Sequence, residues 1–372
     1  MNRLKYFFFL PASVILLILA CNKTTSNPQQ SGNWITRPES DANGRFQAVS
    51  FVVGDTAYIG TGYDGSTNTR YNDLWSFDTI HSWQPCASMP LAAPARNGAT
   101  GFAIGRNGYI TTGTDGNVKF LDTWAYNVDN NSWTQKANFG NGAKTPLTVG
   151  RWGASAFAIG NYGYVTCGYD GSYLKDLWQY DPSKDLWLQK QSIGNPNQTY
   201  PTNGKVISQV ASKRINAVAF VYTTPATSTS AALTQGYIVS GLGSGGSNVT
   251  DFWSYNPKTD TWTGLSPISN VSSQSYDDDY SDIVRNSAVA LVMGSDAYIT
   301  LGVNGGYNAS TWDYNFAADT WSRKSSFERS AREGAVGFVI VGRGFISMGK
   351  SSSQYFDDLE EWQPNVALNT ND

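Results

Sequence analysis

Tryptophans recur in this chain at a spacing that limits what it can fold into. Trp75 and Trp83 stand eight residues apart, and Trp124/Trp133, Trp178/Trp187, Trp253/Trp262 and Trp312/Trp321 nine apart, which accounts for ten of the 13 tryptophans. Each pair follows an arginine, in order Arg45, Arg96, Arg151, Arg214 and Arg285, and then a glycine that closes an apolar run: Gly62, Gly113, Gly168, Gly241 and Gly302. A period of some 50 residues means one supersecondary unit stacked repeatedly, because such a unit cannot bury its apolar face alone. The clearest copy runs from Arg151 to Trp187. It reads as four short strands: two apolar runs, a Tyr-Asp-Gly turn, and a tryptophan in each of the last two strands. Aromatics at 14% and 37 glycines suit short strands with tight turns, and no segment carries an apolar stripe of helical period. The class predicted is all-β.

A sixth unit opens at Arg332 and reaches Asp358-Leu359-Glu360, with no fourth strand after it. The missing strand matches the other end of the chain. Asn33-Trp34-Ile35-Thr36 resembles Ser132-Trp133-Thr134-Gln135 and stands as far ahead of Arg45 as Trp321 does ahead of Arg332. The N-terminal strand is therefore expected to complete the last sheet and close a ring without open edges.

The combination of Arg-x-x-Ala, a strand ending in glycine, a Tyr-Asp-Gly turn and Asp-Leu-Trp-x-Tyr-Asp before a second tryptophan resembles the kelch repeat. The resemblance covers residues 33–364 and implies a six-bladed β-propeller with four-stranded blades around a channel. One departure is consistent. Where the family carries the first glycine of a doublet, this chain has Thr61, Thr112, Cys167, Ser240, Leu301 and Met348. In the fifth unit Ser310 replaces the aspartate of the third strand.

The first residues belong to export. Arg3 and Lys5 precede an apolar stretch, and Ile18-Leu19-Ala20-Cys21 resembles a bacterial lipobox. The expectation is a signal peptide over 1–20, a lipidated Cys21 with a polar tether over 21–32, a propeller over 33–364 and a tail over 365–372. An acylated cysteine anchors without spanning, so the protein is expected in a bacterial envelope, at the outer membrane, as a monomer. The remaining cysteines, Cys86 and Cys167, fall in different units and are expected to be free.

The first strand of a propeller blade lines the channel, so Arg45, Arg96, Arg151, Arg214, Arg285 and Arg332 are expected near one channel mouth. Two readings stand. Free guanidinium groups would focus a positive field and grip carboxylates, and some kelch adaptor domains are similar in using arginines here on acidic peptides. Alternatively each arginine pairs with a repeat aspartate. The residue after each arginine varies: Phe46, Asn97, Trp152, Ile215, Asn286, Glu333. Trp152 and Glu333 add an aromatic platform and a carboxylate. The repeated tryptophans themselves read as packing between blades, their indole N–H groups on carbonyls. Asp64, Asp115 and Asp170 read as turn caps. Leu188 to Lys213 and Thr263 to Val284 are insertions on the arginine face, and Tyr222 to Gln235 is a loop on the opposite one.

Several chemistries are excluded. His81 is the only histidine, which removes His-based metal sites and the copper site of galactose-oxidase-type propellers, and leaves no partner for a catalytic triad at the rim. The run Asp277-Asp278-Asp279 with Asp282 lacks the spacing of a calcium loop and reads as a solvated charge cluster. No metal or other cofactor is expected. A net charge of -3 and no basic patch give nucleic-acid binding no support. The reading is an anchored propeller that binds a carbohydrate, an acidic small molecule or an envelope protein. A metal-free enzyme similar to kelch-type sialic-acid epimerases, with Glu333 moving a proton, is the alternative.

Overall fold

The computed structural model describes residues 31–194 and 211–371; the leader, Cys21 and most of the tether lie outside the described residues. The described chain forms six four-stranded antiparallel sheets, each built in sequence order from the inside out except the last. Blade three shows the pattern: Ser155–Ile159, Tyr162–Thr166, Leu177–Asp181 and Leu186–Lys190. Blade six takes Val336–Ile340, Arg343–Ser347 and Leu359–Ala367 from the C-terminal end and Ser31–Arg37 from the N-terminal end. Trp34 pairs with Trp362 and Thr36 with Glu360 across this seam. The ring closes as the sequence implied, and the outgoing strand extends past the boundary at 364 to Ala367.

Packing between blades follows one rule. In each first strand a large apolar residue stacks on an aromatic of its own blade and presses on a small residue of the next. Phe102 lies on Tyr109 with centroids 5.3 Å apart. A Cβ built on Gly163 of blade three would fall 2.1 Å from Phe102 Cε2, so the close approach of the two sheets requires glycine there. Phe51 over Gly108 and Phe157 over Gly236 repeat it.

Two closed rings of backbone hydrogen bonds run around the axis. In the inner one, Gln47, Gly98, Gly153, Asn216, Ser287 and Gly334 each donate an N–H to the carbonyl of the preceding member, at 2.8–3.1 Å. All six sit at positive φ, between 51° and 64°. In the outer ring, Gly62, Gly113, Gly168, Gly241, Gly302 and Gly349 each donate to the carbonyl of the next blade's repeat arginine, at 2.7–3.0 Å. The Gly349 bond to Arg45 closes the circle across the chain ends.

The residue before each outer-ring glycine explains the family doublet. Thr61, Thr112, Cys167, Ser240, Leu301 and Met348 all adopt φ between 50° and 65°, a region that glycine enters freely and a side chain enters at a cost. The segment Tyr222 to Gln235 is not a simple loop. Val218–Thr224 and Leu233–Val239 carry the blade-four hairpin beyond its neighbours, because Tyr222 stacks on Phe316 at 3.6 Å and ties it to blade five. Cys86 and Cys167 are free thiols, and burial pushes Cys167 up to about 11.

Candidate functional site

The repeat arginines are close to fully buried, at 0–4% exposure. Arg45, Arg96, Arg151, Arg214 and Arg332 form two-pronged ion pairs with Asp73, Asp122, Asp176, Asp251 and Asp358, the aspartates that open the third strands. In each case Nη1 also donates to the carbonyl of the positive-φ residue, as in Arg151 to Cys167 at 2.8 Å. The same carboxylates accept the indole N–H of Trp75, Trp124 and Trp178, at 2.7–3.0 Å. This is a structural clamp joining first, second and third strands. Of the two readings, pairing with a repeat aspartate holds at Arg45, Arg96, Arg151, Arg214 and Arg332, and Arg285 is held by Ser310 and backbone carbonyls, so the reading in which Arg45, Arg96, Arg151, Arg214, Arg285 and Arg332 offer free guanidinium groups to a ligand is corrected. The expectation of indole-to-carbonyl bonds holds for Trp133 and Trp262. It fails for Trp75, Trp124, Trp178 and Trp312, which meet carboxylates, and for Trp83, Trp187, Trp253 and Trp321, whose indole N–H groups have no hydrogen-bond partner among the described residues.

Blade five solves the missing aspartate differently. Arg285 donates to Ser310 Oγ at 2.7 Å and to the carbonyls of Leu301 and Ser310. The insertion returns a carboxylate: Asp282 Oδ1 accepts the Trp312 indole N–H at 2.7 Å and lies 3.9 Å from Arg285. Burial without a close carboxylate pulls Arg285 down to about 10. Asp277 is also buried and accepts from the N–H groups of Val271 and Ser272. The acidic run is thus not a solvated cluster as a whole; two of its members hold the insertion in place. Ile268, Tyr280 and Ile283 of that insertion sink into the core with blades four and five. Of the other insertion, residues 195–210 lie outside the described residues.

The channel is lined by alternate residues of the first strands. Below the inner ring stand Ala48, Ala99, Ala154, Ala217, Ala288 and Ala335. Beyond them a cavity of about 430 Å³ is walled by phenylalanines, valines, alanines and glycines. The walls of the channel cavities carry no ionisable side chain. Above the inner ring, on the arginine face, charged side chains reappear. There the residue after each arginine bridges to the residue after the second-strand glycine, as in Phe46 to Tyr63, Trp152 to Tyr169 and Glu333 to Lys350. That residue in turn bridges to the position three before the repeat aspartate: Arg70, Lys119, Tyr173, Asn248, Tyr307 and Tyr355.

This last column is where the mouth differs from blade to blade. Arg70 lies over the Tyr63 ring at 4.4 Å and donates Nε–H to Asn97 Oδ1 at 2.7 Å, and Asn97 donates to Gln47 at 2.6 Å. Lys119 lies over the Tyr169 ring at 5.5 Å. Neither forms an ion pair among the described residues. Asp115, a turn cap, is held below the usual range by the N–H groups of Val118 and Asn117, with the Arg70 charge adding to the effect. Trp152 is half-buried and meets Tyr169 edge to face at 6.3 Å. Glu333 pairs with Lys350 at 3.4 Å, and Lys350 covers the Phe46 ring. Asp64 and Asp170 cap their own turns, as their sequence context implied. The repeat thus directs attention to invariant arginines, while the chemistry is in a column that changes.

Six kelch-type blades closed by an N-terminal strand, around a channel with a polar mouth, define a kelch propeller. The sequence matches the family described as the KLHDC2/KLHL20/DRC7 Kelch-repeats domain over residues 16–215, and the chain belongs to the kelch-repeat family. The solved structure of YjhT is similar, with a TM-score of 0.61, 15% identity, and coverage of 87% of this chain and 95% of that one. At that identity the likeness is one of fold.

Proposed function

We propose that this propeller is a binding protein, lipid-anchored through Cys21 in the bacterial envelope, that holds an acidic carbohydrate at the mouth of the arginine face. One observation carries the reading. Arg70 and Lys119, neither in an ion pair, stand on adjacent blades beside Tyr63, Tyr169 and Trp152. Cations between aromatic faces suit a sugar ring bearing a carboxylate, the ring stacking and the acid meeting the charges. The buried clamp arginines take no part. Glu333 is engaged by Lys350 and the channel walls are not ionisable, so the reading is of binding rather than turnover.

Titration calorimetry with glucuronate, N-acetylneuraminate and neutral glucose tests it. The acids bind and glucose binds at least tenfold more weakly; Arg70→Ala with Lys119→Ala removes the difference, at about 1.5–3 kcal/mol per charged hydrogen bond. Equal affinity for glucose and the acids, or no effect of the double variant, would sink the idea. Anomer interconversion of N-acetylneuraminate by wild type and not by Glu333→Gln would replace binding with the enzyme reading. Capture of an envelope protein that survives the double variant would replace it with a scaffold.

A further inference from the structure

Neighbouring blades are stitched at their outer edge by a recurring clasp. The turn between third and fourth strands carries Asn131, Asp185, Asp260 or Asp319, at φ near 50°. Its side chain accepts the hydroxyl of Tyr126, Tyr180, Tyr255 or Tyr314 from its own blade. It also accepts a backbone N–H from the preceding blade: Ala87, Ala137, Gln191 or Ser266. Four junctions share this stitch.

The junction of blades six and one has lost every part of it. Phe77 stands where the tyrosine would be, the turn of blade one is a residue shorter, and Pro38 occupies the place of the N–H donor. Proline has no N–H to give. What remains is a cavity of about 220 Å³ with Phe77 and Phe345 as its floor and Ile80, 85% exposed, at its lip. Arg37 and Arg343 stand on its wall. Both are held by the buried carboxylate of Glu361: Arg37 Nε at 2.6 Å, Arg343 Nε at 2.8 Å and Nη2 at 2.5 Å. Two cations thus share one acid. Their side chains are 33% and 39% exposed, and the Nη1 group of neither has a partner among the described residues. Asp78, also on the wall, is spent on its own turn, accepting from the N–H groups of Ile80 and His81 and contacting the His81 ring.

We propose that this junction is a second ligand site, distinct from the mouth, for a small monocarboxylate with an apolar body. The acid would meet the open edges of Arg37 and Arg343, pre-oriented by Glu361, and the apolar part would lie against Phe77, Phe345 and Ile80. The volume is below the roughly 300–1,000 Å³ of drug-sized pockets, so the ligand is a one-ring or short-chain acid. Guanidinium forks select a planar carboxylate over an alcohol.

The test is calorimetric titration of the intact protein with 3-phenylpropanoate and with 3-phenylpropanol. The carboxylate binds at least tenfold tighter than the alcohol. Arg343→Gln and Arg37→Gln each weaken it at least tenfold, while Arg70→Ala with Lys119→Ala leaves it unchanged, which separates this site from the mouth. Each single arginine variant leaves Glu361 one partner, so the fold survives, and an unchanged melting temperature checks that. Asp78→Asn keeps the turn capped, removes a competing negative charge and tightens binding. Equal binding of the two probes, no binding of either, or arginine variants that bind like wild type would overturn the proposal.

Discussion

At the scale of single residues, the propeller tolerates conformations that its sequence disguises. Thr112 is fully buried, has φ 65° and leaves its hydroxyl without a partner. A β-branched residue in the left-handed region costs about 1–2 kcal/mol, partly offset in a glycine variant by the greater freedom of the unfolded chain. Thr112→Gly is therefore expected to stabilise the protein by about 1 kcal/mol, read as a higher urea midpoint at constant slope. The clamps work in the other direction. Asp176 is opposed by burial but carried below the usual carboxylate range by Arg151 and the Trp178 indole. A depressed folded pKa contributes stability that is present above the unfolded value, near 3.9, and lost as pH falls through the folded value. Asp176→Asn would strand a buried guanidinium at a cost of about 3–5 kcal/mol. The wild type then loses part of its advantage over this variant as pH falls below about 4, which unfolding curves at falling pH measure.

At the scale of elements, blade five depends on a segment that is an insertion in the repeat. Ser310 cannot make the two-pronged pair that every other blade has, and Asp282 reaches in to take over the indole contact. Ser310→Asp is expected to give Arg285 a close carboxylate and to raise the unfolding midpoint. More pointedly, it should rescue Asp282→Asn, which alone leaves Arg285 further from any negative charge. A double-mutant cycle reads this as a coupling of about 1–3 kcal/mol. If the two substitutions simply add, Asp282 does not stand in for the missing aspartate.

At the scale of the whole molecule, the two backbone rings and the blade-six seam make the circle continuous. Trp34 is 2% exposed and packs against Trp362 at 4.7 Å and Phe327 at 4.9 Å. Trp34→Ala is expected to cost about 3–5 kcal/mol and to open the ring at blade six first. Limited proteolysis would then cut near the seam before cutting within blades two to four. Cleavage that begins instead in the central blades would show that the seam is not the weakest closure.

Much of this was legible along the chain. The tryptophan spacing, the arginine-to-glycine interval and the match of Asn33–Thr36 to Ser132–Gln135 fix the blade count and the closing strand, because a repeat must bury the same face each time. The aspartate turn caps at Asp64, Asp115 and Asp170 were legible for the same local reason. What the sequence could not reveal is which charges are spent. Arg151 and Arg70 are both arginines a few residues from a repeat landmark. Only the packed structure shows that the first is locked on Asp176 and that the second, three residues before Asp73, forms no ion pair among the described residues and meets Asn97 and the Tyr63 ring at the mouth. The loss of the clasp at Phe77 and Pro38 likewise has meaning only when blade one meets blade six. Periodicity is written in neighbouring residues and survives reading in one dimension. Pairing of charges and the opening of a cavity depend on distances between segments far apart in the chain, and folding alone sets those.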